Sequence, residues 1–167
     1  IGQSTTQFGS STLRLAAGTA LTLTNVTSTA FVRNGQGTLT LQPASPAGLG
    51  VTERFILPAG MSGRPITTTA DGMLALPFVV ARTNENDATF VTLDGSNSFV
   101  LNTAVTAADL NVAPATALGD VAADQALTVD AAVLALRTRG SISGSSITIG
   151  NGGLILNGPA APNLASN

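Results

Sequence analysis

Near its carboxyl end the chain reads Ile147-Thr-Ile-Gly-Asn-Gly-Gly-Leu-Ile-Leu-Asn-Gly158, two short apolar alternations separated by a glycine-rich bend. Successive side chains of a strand point to opposite faces, so Ile147 and Ile149 share one face, as do Leu154 and Leu156. Gly and Asn tolerate positive φ and suit the bend. The stretch therefore predicts two half-buried strands, with both apolar pairs on the buried face.

The same alternation recurs along most of the chain, broken at short intervals by Gly, Asn, Asp or Pro. Thr or Ser occupies the face opposite the apolar residues, as in strands that are half buried and half exposed to water. Two stretches rich in Pro and Gly, about 42–50 and 57–65, are expected to protrude as loops. Further predicted strands cover 12–15, 20–24, 37–41, 89–93, 98–101, 126–129 and 133–136.

The spacing of phenylalanine suggests a repeat. Phe8, Phe31, Phe55 and Phe78 are separated by 23, 24 and 23 residues, an interval that fits one coil of a solenoid. The pattern predicts an all-β protein, a parallel β-helix spanning 1–167 as one solenoid segment. An antiparallel β-sandwich is the alternative, and strand direction separates the two. Since the first residue is Ile1 and not Met, we expect the segment to be part of a longer chain.

The composition excludes several kinds of chemistry. The chain is 44% hydrophobic and 10% charged, and it contains no Cys, His, Trp or Tyr; a typical domain has about 25% charged residues. All seven basic residues are Arg. A thiolate or imidazole nucleophile, a Schiff-base lysine and an ordinary zinc or haem site are thereby excluded. Scattered arginines and a net charge of −2 argue against nucleic-acid binding. No apolar run reaches the roughly 18 residues of a membrane-spanning helix, so we expect no membrane contact by this segment.

Two phrases carry a family resemblance. Asn34-Gly-Gln-Gly-Thr-Leu-Thr-Leu41 and the 147–158 stretch resemble the Gly-x-Gly-Thr-Leu-x-Leu phrases of autotransporter-associated β-strand repeats, which recur in bacterial passenger proteins. The resemblance implies a right-handed parallel β-helix, secreted or exposed at the cell surface, without a catalytic centre. The Asn-Thr-Tyr-x-Gly phrase of those repeats has no counterpart here, because the chain lacks Tyr.

Oxygen-bearing side chains are densest in 84–97, where Asp87, Asp94 and Asn97 are candidate ligands of a weak calcium site. The spacing matches neither an EF-hand nor a calcium-binding β-roll, which favours solvated turns and no metal or other cofactor. Ser141 to Ser146 have no His or Lys to activate a hydroxyl, so no catalytic residue is expected.

The other charged residues have structural interpretations. Four aspartates in an Ala-rich stretch are expected to supply solubility and turn hydrogen bonds: Asp109, Asp120, Asp124 and Asp130. Arg137 and Arg139 are expected to pair with carboxylates of a neighbouring coil.

Together these observations predict a non-enzymatic structural or adhesive module, extracellular or on the bacterial cell surface. Its partners would be adjacent coils of the same or neighbouring chains, including a homo-oligomer or filament. One alternative is a carbohydrate-active β-helix, a polysaccharide lyase or glycoside hydrolase, although aromatic sugar platforms are missing. Another is a β-sandwich subunit of a filament or surface layer.

Overall fold

The computed structural model describes residues 6–8, 11–22, 31–33, 38–45, 47–57, 78–102, 107–158, 162 and 164. Within these ranges the chain is all-β, as predicted, and has no helix that could cross a membrane. The strands are β1 (Thr6–Phe8), β2 (Ser11–Leu15), β3 (Ala20–Thr22), β4 (Phe31–Arg33), β5 (Leu39–Pro43), β6 (Arg54–Ile56), β7 (Val79–Asn84), β8 (Asp87–Leu93), β9 (Phe99–Leu101), β10 (Leu118–Val121), β11 (Gln125–Leu127), β12 (Ala131–Thr138), β13 (Ile142–Gly144) and β14 (Ile147–Leu156).

The amino-terminal strands pair in parallel across three separate sheets. β1 pairs with β4, β2 with β5, and β3 with β6, so three consecutive strands lie beside the next three in the same order. β7 then adds in parallel to the other side of β5. Alternation buries Leu39 and Leu41 on one face of β5, while Thr40 between them is half-buried. Parallel pairing of this kind requires a connection between partners and cannot arise from hairpins.

The middle of the chain departs from the predicted parallel pattern. β7, β8 and β9 form an antiparallel meander that completes a five-stranded mixed sheet, β2-β5-β7-β8-β9. Two tight turns cause the reversals. Glu85 and Asn86 join β7 to β8. The second turn, between β8 and β9, places Asn97 at a φ of 60°, a conformation that Asn adopts more readily than most residues. A uniformly parallel arrangement is therefore wrong for 79–101.

The carboxyl-terminal strands return to parallel pairing with shorter connections. β10, β12 and β14 form one sheet, and β11 and β13 form a second. Leu118 lies opposite Ala135 and Gln125 opposite Ile142, each pair 17 residues apart. Leu164 bridges Ile142 in parallel, so the pairing continues past β13.

The buried side chains form three clusters. The first lies inside the amino-terminal sheets and includes Leu41, Leu57 and the stacked rings of Phe55 and Phe99, whose centroids are 5.5 Å apart. The second fills the space between the two carboxyl-terminal sheets. The third is shared: Phe90 of β8 packs with buried residues of β10, β12 and β14, namely Leu118, Ala135 and Ile155. One face of the β10-β12-β14 sheet thus packs against the mixed sheet, and its other face covers the second cluster.

The phenylalanine interval is not the repeat of the fold. Phe8 lies opposite Arg33, two positions away from Phe31, and Phe55 lies opposite Leu21. Paired positions are 25, 28 and 34 residues apart in the first three parallel pairs, and 16 to 18 apart in the β12–β14 pair and its neighbours. The residues that stack in successive strands are therefore set by the strand register and not by the phenylalanine interval.

Two predicted details differ from the structure. Leu154 and Leu156 are each 44% exposed and are not buried, because β14 lies at the edge of its sheet in the described part of the chain. Of the predicted loop 42–50, the first residues complete β5 and Leu49 is buried in the first cluster. The predicted loop 57–65 lies outside the described residues, apart from the buried Leu57.

Candidate functional site

A polar network lies where the two packed sheets meet. Asp120 of β10 and Arg137 of β12 are directly opposed in the parallel register. The guanidinium of Arg137 forms two hydrogen bonds with the carboxylate of Asp120, one of them 2.8 Å long, and a third with the hydroxyl of Thr89 on β8. The hydrogen bond to Asp120 raises the pKa of Arg137, although partial burial opposes the charge. The predicted pairing of Arg137 with a carboxylate is thus confirmed, and that carboxylate lies on the adjacent strand of the sheet.

A second set of contacts fastens the end of β14 to the start of β8. Asn157 is 2% exposed. Its amide accepts a hydrogen bond from the N–H of Ala88 at 2.9 Å and donates one to the carbonyl of Ala88 at 2.8 Å. It also donates to Asp87, whose carboxylate accepts from Arg139 at 2.8 and 3.0 Å. The side chain of Asn157 thus substitutes for the backbone of a neighbouring strand.

Beside these contacts lies an open cleft of about 260 Å³. Thr12, Thr40 and Val80 line it as successive register partners on β2, β5 and β7. The adjoining ends of β7 and β8, the turn between them and the end of β14 supply the other lining residues, which are Arg82, Glu85, Asn86, Asp87, Ala88, Leu156, Asn157 and Gly158. Hydroxyl, carboxylate and amide groups therefore line an open space that is smaller than the roughly 300 to 1,000 Å³ of typical ligand pockets.

The charged groups of the cleft are largely engaged with the protein. Arg82 donates to the carbonyls of Asn84 and Glu85 at 3.1 and 2.7 Å, which holds the turn in place. Asp87 accepts from Arg139 and Asn157. A pair of carboxylates performing acid–base catalysis requires one group that can carry a proton. Asp87, bound to Arg139 and Asn157, is instead committed to contacts within the protein.

The structure does not assemble the calcium candidates. Asp87 begins β8 and Asp94 follows its end, a separation on the order of 20 Å along the strand. Asp94 and Asn97 share the β8–β9 turn, where the Asp94 carboxylate accepts from the N–H groups of Ser96 and Ser98 at 2.8 and 2.9 Å. Among the described residues, no three His, Cys, Asp or Glu side chains are close enough to hold a metal ion.

The remaining aspartates that the structure describes bind turns and neighbouring strands, as the sequence predicts for them. Asp124 accepts from the N–H of Ser141 at 2.8 Å, and Asp130 accepts from the N–H of Ser146 at 3.1 Å. The hydrogen bonds from Ser146 lower the pKa of the fully exposed Asp130. Asp109 accepts from the side-chain amide of Gln125 at 2.6 Å. Each bond joins residues 16 or 17 positions apart.

Sequence reasoning missed two features of this region. Asn157 is indistinguishable from a turn residue in sequence, because its partner Ala88 is 69 residues away. Thr12 and Thr40 are register partners, but the separation between partners differs from one strand pair to the next. This alignment therefore could not be predicted from a fixed sequence period. The one available sequence signal was the alternation of Thr with apolar residues, which places Thr40 on the opposite face of its strand from Leu39 and Leu41.

Comparison with protein-family models, curated proteins and solved structures finds no match.

Proposed function

We propose that this chain is a non-enzymatic structural or adhesive module of a secreted or surface-exposed bacterial protein, folded as a right-handed parallel β-helix that the antiparallel meander β7-β8-β9 interrupts. The supporting observation is a set of side-chain hydrogen bonds between equivalent turns of successive layers. A layer here is one strand of the β10-β12-β14 sheet together with the segment that follows it in the β11-β13 sheet. Asn111 accepts from the N–H of Thr128 at 2.8 Å, 17 residues later. Asp124 does the same for Ser141, again 17 residues later. Such bonds tie one layer to the next without forming a site.

The allocation of charge supports a structural role. Six of the nine acidic residues have the partners described above: Asp87 and Asp120 bind arginines, and Asp94, Asp109, Asp124 and Asp130 bind turns or layers. Catalysis requires groups that are free to change protonation or contact substrate. Groups committed to internal bonds stabilise the fold and leave little for chemistry.

The proposed location rests on composition and on the resemblance to autotransporter-associated repeats. A chain without Cys is compatible with the oxidising exterior, because it has no thiol to pair incorrectly. A low fraction of charged residues with abundant Thr, Ser and Asn gives a polar but weakly charged surface. Under this proposal the polar cleft serves as the adhesive surface.

The cleft also favours one alternative, a carbohydrate-active protein. Glu85 and Asp87 line the same cavity as the hydroxyls of Thr12 and Thr40, and such groups can hydrogen-bond a sugar. Under this alternative Glu85 would be the proton donor or acceptor, since Asp87 is bound by Arg139. The structural proposal instead assigns Glu85 no chemical step.

Two assays distinguish the proposals. The purified chain is incubated with acidic and neutral polysaccharides, with and without calcium, and reducing ends are measured. We expect no turnover; release of reducing ends that Glu85→Gln abolishes would overturn the structural proposal. In the second assay, cells displaying the chain are scored for protease resistance and adherence to glycan-coated plates.

Protease-resistant display is the expected result, and rapid degradation of the displayed chain would contradict a structural role. Adherence that is lost in Thr40→Val would identify the cleft as the adhesive surface. Thr19→Val is the matched control, because Thr19 is exposed and lies outside the cleft.

A further inference from the structure

The residue that fastens the end of β14 to β8 is followed in sequence by glycine, giving the pair Asn157-Gly158. In an Asn-Gly pair the backbone nitrogen of glycine can attack the side-chain amide carbon of asparagine, because glycine has no side chain to obstruct the approach. The attack forms a C–N bond, closes a succinimide ring and expels the side-chain nitrogen as ammonia. Water then opens the ring to aspartate or isoaspartate. Asn157 is 2% exposed, so a reactive sequence lies at a buried contact of the fold.

Both reacting groups are engaged in hydrogen bonds. The N–H of Gly158 donates to the carbonyl of Asn86 at 2.8 Å. The side-chain amide of Asn157 accepts from the N–H of Ala88 at 2.9 Å, and it donates to the carbonyl of Ala88 at 2.8 Å and to Asp87 at 2.6 Å. For the ring to close, the N–H of Gly158 must lose its proton and the amide of Asn157 must rotate toward that nitrogen. Both movements break these bonds, so the reaction requires the end of β14 to separate from β8 first.

The product of this reaction cannot restore the same contacts. Deamidation to aspartate replaces the amide nitrogen of residue 157 with a carboxylate oxygen. In the original position that oxygen would face the carboxylate of Asp87 and the carbonyl of Ala88, across the 2.6 and 2.8 Å that hydrogen bonds now span. Neither neighbour can donate a proton, so two attractive contacts become repulsive. Isoaspartate also lengthens the backbone before Gly158, which displaces the N–H that donates to Asn86.

We propose that Asn157 is a deamidation site gated by the fold. It is protected while the end of β14 contacts β8, and it reacts when that end separates. Because the product does not rebuild the contact, a reversible separation becomes a permanent one. The modification therefore limits the lifetime of the attachment between the two packed sheets. A site of this kind is compatible with either function proposed above and depends on neither.

The first test measures the rate of deamidation at residue 157 by peptide mass mapping of the full chain in mildly alkaline buffer, across a series of urea concentrations. Deamidation is detected as the mass change from replacing NH₂ with OH. We expect the folded chain to react at least about tenfold more slowly than the unfolded chain, because only the separated fraction reacts. The rate should already rise in urea below the global unfolding transition. Equal rates in folded and unfolded chains, or a rate that follows global unfolding alone, would overturn the proposal.

The second test loosens the contact without changing the reactive pair. Asp87→Ala removes the carboxylate to which the Asn157 amide donates, and it should raise the deamidation rate at residue 157 severalfold in the folded chain. Asp130→Ala is the matched control, because Asp130 bonds Ser146 in a different turn, and it should leave this rate unchanged. Thermal melts establish that both variants are folded. If Asp87→Ala does not fold, the urea series on the wild type still decides.

A third measurement tests whether the change is permanent. The wild type and Asn157→Ala are unfolded, held until residue 157 of the wild type has reacted, and refolded. Asn157→Ala undergoes the same reactions at the other Asn-Gly pairs of the chain, 34–35 and 151–152. The treatment should lower the melting temperature of the wild type by clearly more than that of Asn157→Ala. Equal losses in the two proteins, or a deamidation rate that Asp87→Ala leaves unchanged, would contradict a gated site at residue 157.

Discussion

Arg137 and Asp120 are directly opposed on adjacent parallel strands, and the same guanidinium reaches Thr89, which lies 48 residues earlier in the chain on another sheet. One side chain therefore joins two strands within a sheet and two sheets to each other. The side chains of Arg137 and Asp120 are only 15% and 18% exposed, so water does little to screen the pair. Its effect on stability depends on whether both partners are present.

Removing one partner of this pair should be strongly destabilising. Asp120→Asn leaves a largely buried guanidinium without its counter-charge, and we expect a loss of about 3 kcal/mol in the free energy of unfolding. Chemical denaturation measures the loss. The double variant Asp120→Leu with Arg137→Met should recover most of it, because the uncompensated charge is gone. Equal destabilisation of single and double variants would show that packing, and not the charge pair, matters at these positions.

Asn157 should be a principal attachment between the two packed sheets. Asn157→Ala removes two hydrogen bonds to the backbone of Ala88 and leaves the N–H and carbonyl of that residue unsatisfied. We expect a loss of about 2 to 3 kcal/mol, measured by denaturant unfolding. Asn86→Ala, at an exposed position in the nearby turn, is the control and should be close to neutral. Two variants of similar stability would mean that Asn157 does not hold the sheets together.

Gly144 is required where two layers approach closely. Its φ is 96°, and a Cβ at this position would collide with the carbonyl oxygen of Leu127, its partner on β11. Gly144→Ala should therefore cost about 2 kcal/mol or more from strain and displacement of the layers. Gly95→Ala provides the comparison, because a Cβ there meets no atom within 4 Å. If the two variants melt at the same temperature, the layers are not packed as described.

Asp130 should give the protein an acid-sensitive contribution to stability. Hydrogen bonds from Ser146 lower the pKa of the folded carboxyl, so its contribution is present above the unfolded value of about 3.9 and is lost as pH falls through the folded value. Asp130→Ala should melt below the wild type at pH 7, and the difference should shrink near pH 2.5. A difference independent of pH would exclude ionisation as its cause.

Features of this fold that depend on residues close together in sequence could be predicted, and features that depend on distant residues could not. Alternation within five residues correctly predicts the all-β class and the buried face of β5, because strand periodicity is local. The pairing of Arg137 with a carboxylate was also foreseeable. The antiparallel reversal at β7–β8, the exposure of Leu154 and the role of Asn157 depend on contacts between distant segments. No local pattern encodes those contacts.

The central claim is that successive layers of the chain stack in parallel. Ala126 of β11 and Ser143 of β13 are register partners and are both exposed. In the variant Ala126→Cys with Ser143→Cys, a short bifunctional thiol reagent should cross-link the pair rapidly and raise the melting temperature. Ala126→Cys with Thr148→Cys is the control, since Thr148 lies in the other sheet beside Ala132. The account predicts efficient intramolecular cross-linking of the first pair and little of the second; the reverse result, or none with either pair, would contradict parallel stacking.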